Sequence, residues 1–165
     1  MTADDLMTIE RIKRLKYRYL RCLDQKLWDD LATCFTDDAE ASYSGGRYHF
    51  EGREAILDFL VRSMSAETFL SSHRVHHPEI DLTGPTSARG TWALDDVVIE
   101  TAWDITIRGA AFYEDEYVLH DDTWLIARTG YRRTFEEIQP RASVEGLQLT
   151  ANWFVDGGRS SLDAG

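Results

Sequence analysis

At 165 residues, with 43% hydrophobic and 28% charged side chains, the chain has the length and composition of one globular domain that needs no disulfide or metal staple. Its 29 acidic and 18 basic residues give a formal charge of −11, which repels phosphate backbones and anionic lipid and sets nucleic-acid and membrane-surface roles aside. No apolar run approaches the ~20 residues of a membrane span, and the acidic opening is the wrong sign for a signal peptide, so a cytoplasmic protein is expected.

Between Thr8 and Leu31, Ile9, Ile12, Leu15, Tyr19, Leu20, Leu23 and Leu27 recur in steps of three and four, the pattern of an amphipathic helix. Asp4 and Asp5 suit its first turn, and Thr2 or Thr8 suits its cap. A short second helix is expected from Leu27 into Phe35. Residues 39–43 alternate like a strand, and Gly45-Gly46 followed by residues 47–50 completes a hairpin signal. Gly52 precedes a third helix, 53 to about 64, whose apolar stripe is Ile56, Leu57, Leu60 and Val61.

From residue 70 the period changes to two, predicting strands at 73–82, 87–100, 105–119 and 123–135. The expected fold is α+β: a bent antiparallel sheet wrapped around the N-terminal helices as a cone-shaped barrel with a pocket at its open end. The domain is expected to span 1–137. The tail, 138–165, carries Trp153-Phe154, too apolar for water, and is expected to dock as a lid or on a neighbouring subunit.

The chain has no phosphate-binding glycine loop, metal motif or nucleophile elbow, and Cys22 and Cys34 have no metal-ligand spacing. Its chemistry must come from scattered polar residues on apolar elements: Tyr19, Asp24, Tyr43, His73, His76, His77, Asp96 and Arg133. Strand alternation puts Ala88, Gly90, Trp92, Leu94 and Asp96 on one face, with Asp95 opposite as the ordinary solvated acid. A carboxylate at the end of an apolar row is expensive to bury without a partner. Arg133 likewise shares a face with Thr129 and Tyr131. On a regular strand His73 and His77 share a face and His76 opposes them. Plainer roles remain open: a core tyrosine, a helix cap at Asp24, a histidine-rich strand end, a surface arginine. Residues alone therefore reach a pocket-bearing α+β domain with an acid–base set, and a metal site would need two of the histidines on one face plus a carboxylate.

The segment from Ile12 to Leu31, containing Cys22-Leu23-Asp24, resembles the opening helix of the SnoaL-like, nuclear-transport-factor-2-like superfamily, and within it the bile-acid 7α-dehydratase family. The resemblance continues through Ser42-Tyr43-Ser44-Gly45-Gly46, His77-Pro78-Glu79-Ile80, Gly90-Thr91-Trp92, Ala111-Phe112-Tyr113 and Thr129-Gly130-Tyr131-Arg132-Arg133, covering about residues 8 to 137. It implies catalytic roles for Tyr19, Asp24, His73, Asp96 and Arg133, and a pocket lined also by Tyr43, Trp92 and Phe112. Scytalone dehydratases are similar at Asp24, Tyr43 and His73, but their second histidine falls on Asp96. The loop 102–108 and the tail depart from the pattern.

What the resemblance implies is a cofactor-independent, metal-free dehydratase, a homotrimer, acting on a hydrophobic steroid-like or polycyclic hydroxy-ketone. His73 would be the base, and Asp24 or Asp96 would orient it. Tyr19 would donate to the carbonyl oxygen, and Arg133 would steady a buried carboxylate or an anionic end of the substrate. An isomerase, cyclase or dehydrohalogenase of the same fold, or a non-catalytic domain binding a ligand or partner, are the alternatives.

Overall fold

The computed structural model describes residues 1–161. Helix α1, Ala3–Asp24, starts at Thr2, whose hydroxyl accepts from the Asp5 amide while the Asp5 carboxylate accepts from the Thr2 amide. A tight turn with Lys26 in the left-handed region leads to α2, Trp28–Ala32, shorter than the sequence pattern suggests. Strand β1, Phe35–Tyr43, begins at once and turns through Gly45 and Gly46, both at positive φ, into β2, Tyr48–Glu51. Helix α3, Arg53–Met64, has the expected bounds and buries Ile56, Leu60 and Met64.

Four long strands follow: β3, Phe69–Gly84; β4, Ser87–Glu100; β5, Ile105–His120; and β6, Thr123–Pro140. All six strands form one sheet in the order β2-β1-β6-β5-β4-β3, with β2 and β3 as free edges. The expected sheet is antiparallel, but β1 runs parallel to β6. The sheet is therefore mixed and open rather than a closed antiparallel barrel. Helices packed on one concave face keep the α+β cone architecture. Register shifts at His76/Glu79, Ala110/Ala111 and Glu116/Tyr117 bend the long strands.

The core sits between α1, α3 and the inward faces of the sheet, with Ile12, Leu15, Leu20, Phe35, Ile56, Trp92, Leu94 and Ile126 buried. Every even-numbered residue of β4 from Ala88 to Trp92 and on to Asp96 and Glu100 is buried, as alternation requires. Among the described residues no helix is long and apolar enough to cross a membrane.

The sheet runs to Pro140, past the expected domain boundary at 137. Beyond it, Asn152 caps the short helix α4, Trp153–Asp156, and its side-chain amide donates to the Glu67 carbonyl at 3.0 Å. Phe154 lies against Lys26, with Nζ 3.6 Å from the ring centroid. This part of the tail docks on its own chain, beside the C-terminal turn of α1, while Trp153 stays exposed. Residues 162–165 of the tail lie outside the described residues.

Gly130 is where the parallel pair closes up. A Cβ there would lie 2.5 Å from the Ser42 carbonyl oxygen, on the strand paired with it. Gly130→Ala is expected to destabilise the fold by about 1–3 kcal/mol through overpacking, read as a lower urea midpoint with an unchanged m-value.

Candidate active site

Asp24 is the last residue of α1, and its carboxylate reaches across to β3. One oxygen accepts from the His73 backbone N–H at 2.9 Å; the other accepts from Ser71 Oγ at 2.8 Å and lies 2.6 Å from His73 Nδ1. The carboxylate therefore holds a proton on Nδ1 and leaves Nε2 with its lone pair. Asp24, not Asp96, is the partner of His73. Side-chain exposures of 11% for His73 and 22% for Asp24 leave the dyad reachable but largely shielded.

Asp96 lies directly opposite His73 in the β3–β4 register. It is buried, and both of its oxygens are taken by the Arg133 guanidinium in a fork, one nitrogen pairing with each oxygen. Burial works against the charge on Arg133, but the hydrogen bonds and charge of Asp96 more than offset it, and its pKa is raised. Gly109, paired with Asp96 on β5, makes room for this fork: a Cβ there would lie 2.8 Å from Arg133 Nη1.

The two adjacent acids separate as strand alternation predicts. Asp95 is turned out, 68% exposed, with its carboxylate 3.3 Å from His76 Nε2. The third histidine departs from the regular-strand expectation. His77 sits at the β3 bulge with φ of 30°, so it no longer shares a face with His73 and stands exposed. The three histidines do not converge on one point.

Tyr19 and Tyr43 are buried beside Tyr113, with Tyr131 adjoining. Ring centroids are 6.4 Å apart for Tyr19 and Tyr113, 5.8 Å for Tyr43 and Tyr131, and 5.6 Å for Tyr113 and Tyr131. The Tyr19 and Tyr43 hydroxyls are buried near one another, yet neither completes a hydrogen bond of good geometry. Burial first, and the neighbouring phenols and Asp115 next, push Tyr19, Tyr43 and Tyr113 well above the usual tyrosine pKa. They stay protonated, as donors. The Arg133 guanidinium stands 5.1 Å from the Tyr131 ring centroid, linking the tyrosines to the Asp96 fork.

Two expected pocket residues are placed elsewhere. Phe112 projects from the opposite face of β5, 49% exposed, into a recess of about 850 Å³ that it shares with Thr91, Glu114 and Arg132. Its neighbour Tyr113 takes the inward place, one strand position being enough to exchange faces. Trp92 does face inward, but it is wholly buried and its indole N–H donates to Tyr117 at 2.9 Å, a core role. Neither this recess nor another of about 840 Å³ beside Arg14 and Tyr17 is lined by Tyr19, Asp24 or His73. The sequence reading missed Tyr113 as well as the buried pair Lys16 and Asp115. Tyr113 was recoverable from the alternation of β5, in which Ala111, Tyr113, Asp115 and Tyr117 share a face.

Residues 4–130 match the family model described as SnoaL-like domain. The chain belongs to the SnoaL-like family. Its fold is similar to that of a scytalone dehydratase-like protein from Novosphingobium aromaticivorans, at 26% identity and a TM-score of 0.75, covering 83% of this chain and 91% of that one. It is also similar to the hexachlorocyclohexane dehydrochlorinase LinA-type3 from Novosphingobium barchaimii, with a TM-score of 0.74 at 20% identity over 88% of this chain and 96% of that one. For ActVI-ORFA from Streptomyces coelicolor the TM-score is 0.66 at 15% identity, covering 77% and 97%. The last two likenesses are of fold alone.

Removing one partner of the Asp96–Arg133 fork leaves a poorly solvated charge. Asp96→Asn is expected to cost about 3 kcal/mol of stability, whereas Asp95→Asn stays within about 0.5 kcal/mol of the parent. Urea denaturation of both variants checks the difference, and equal effects would mean that the two acids are not on opposite faces.

Proposed function

We propose that this SnoaL-like protein is a hydro-lyase acting on a small hydrophobic hydroxy-ketone, of the steroid-like or polycyclic kind, without a cofactor. The observation that carries the reading is the His73–Asp24 pair, an imidazole fixed through Nδ1 with Nε2 free, held by the last residue of the helix that also carries the buried Tyr19. Likeness to a scytalone dehydratase-like protein supports it, as does the resemblance of the opening helix to bile-acid dehydratases.

In the proposed reaction His73 Nε2 takes the proton from the carbon α to the carbonyl, or conjugated with it. The C–H electron pair moves into the enolate, whose oxygen is held by Tyr19 and its neighbouring phenol Tyr43. Asp24 stabilises the imidazolium. The enolate then collapses, the C–O bond of the hydroxyl breaks, and the imidazolium returns its proton to the departing oxygen. Water leaves, a carbon–carbon double bond forms, and His73 is neutral again. Asp96 and Arg133 already satisfy one another, so their part is to shape and polarise the wall beside the base. A halide as leaving group would need the same proton abstraction and no returned proton. That makes dehydrohalogenation the nearest alternative, and product mass separates the two.

His73→Gln is expected to lower kcat for a hydroxy-enone steroid by about 10²–10⁴ while Kd changes little, because the lost group acts in the transition state. Turnover is followed by the absorbance change as conjugation lengthens and by loss of one water in product mass. His76→Gln and His77→Gln retain most activity, since His76 faces outward and His77 stands on the bulge. A dead His77→Gln with an active His73→Gln would overturn the assignment of the base.

The family resemblance also supports a homotrimer. Light scattering at micromolar concentration is expected to give three times the chain mass, and a monomer would refute it.

A further inference from the structure

Beneath the tyrosines lies a charged pair that the dehydration scheme does not use. Lys16 on α1 and Asp115 on β5 are both buried, with Nζ 2.8 Å from Oδ2. Lys16 is wholly inaccessible and is the only buried basic side chain among the described residues. Asp115 is well supplied without it: the Tyr117 hydroxyl donates to Oδ2 at 2.6 Å and the Thr129 hydroxyl donates to Oδ1 at 2.7 Å. The ammonium, by contrast, has Asp115 as its only ion partner. Its other contacts are aromatic faces, with Nζ 3.4 Å from the Tyr113 ring centroid and 4.8 Å from that of Tyr19.

Stability gives no reason for such a lysine. An apolar pair of the same volume commonly serves a fold as well as a buried ion pair or better. Electrostatics supplies a reason. Asp115 stands close enough to Tyr19, Tyr43 and Tyr113 for its charge to oppose any negative charge on their hydroxyls, or on an oxygen bound to them. In a dry interior that opposition is strong.

On the reading that these tyrosines receive the enolate oxygen, we propose that Lys16 is a positioning residue whose ammonium cancels the Asp115 charge. The tyrosine hydroxyls then favour an oxyanion over a neutral carbonyl. Its seat on the Tyr113 face also fixes the ring that borders Tyr19. Substrates that pass through an enolate or a phenolate are the class this arrangement selects.

The test needs no turnover. 4-Nitrophenol is the probe, since its phenol and phenolate forms absorb at different wavelengths. Bound to the parent protein, it should titrate at a lower pH than free in solution. Lys16→Met should raise the titration point of the bound probe by about one pH unit or more, equal to about tenfold weaker phenolate binding. In the double variant Lys16→Met/Asp115→Asn the charge to be cancelled is gone, and the titration point returns to within about 0.3 of the parent value. Should the single variant fail to fold, Asp115→Asn, which leaves the ammonium without a charge to cancel, is read in its place, and the bound probe is expected to titrate below the parent value; an unchanged value would overturn the proposal. An unchanged titration point in Lys16→Met, a double variant no better than the single one, or a parent that shows no preference for phenolate would each overturn the role of Lys16. His73→Gln should keep the probe's shift while losing turnover, so failure of the dehydratase reading and failure of this one are distinguishable.

Discussion

The carboxylate of Asp24 joins the helical layer to the sheet. It sits at the C-terminal end of α1, where the helix dipole disfavours a negative charge. Three donors from β3 compensate: a backbone N–H, the Ser71 hydroxyl and the His73 ring. The same contacts that satisfy the acid fix the end of α1 against the edge strand and fix the rotamer and tautomer of His73. Packing and preorganisation are here one set of hydrogen bonds, so the orientation of the imidazole is a property of the fold.

A second layer of polar groups is buried deeper, and it divides into two closed units. Asp96 is satisfied by the Arg133 fork; Asp115 is satisfied by Lys16, Tyr117 and Thr129. Both acids belong to the inward rows of β4 and β5, where an isolated charge would cost several kcal/mol or would lose its charge. Between the two units stand phenols rather than charges. That is the chemical character of the site: paired ions at its borders, and neutral donors at Tyr19 and Tyr43 in between.

Much of this was legible in the sequence, because the long elements repeat with a clear period. The α1 stripe, the extent of α3, the hairpin, and the opposite facing of Asp95 and Asp96 all follow from local spacing. The parallel pairing of β1 with β6 did not, since it joins segments some ninety residues apart and leaves no local signal. His77 escaped because a bulge cancels alternation at that point. Phe112 was placed one position out of phase, and one position on a strand is a whole face. Lys16 lies in a helix crowded with exposed Arg11, Arg14, Arg18 and Arg21; only its spacing, four residues after Ile12 and four before Leu20, sets it on the buried stripe, against the usual behaviour of a lysine. Asp115, set between Glu114 and Glu116, is told from them only by its place in the row of Ala111, Tyr113 and Tyr117.

The distribution of charge also bears on which group would meet the developing negative charge in the proposed reaction. Arg133 is the obvious cation near the site, yet its fork is already engaged by both oxygens of Asp96, and the pair is close to neutral as a unit. A cation so engaged can gain little when an enolate forms. Tyr19 and Tyr43 have hydroxyls that meet one another without completing a hydrogen bond of good geometry, held protonated by burial, and their hydrogen bonds are free to strengthen as charge arrives. Donors that are unsatisfied in the resting protein contribute most in the transition state, because their gain is not offset by a bond that must first be broken. In the proposed reaction the oxygen site is therefore assigned to the tyrosines, and the charged pairs on either side set the field in which they would act.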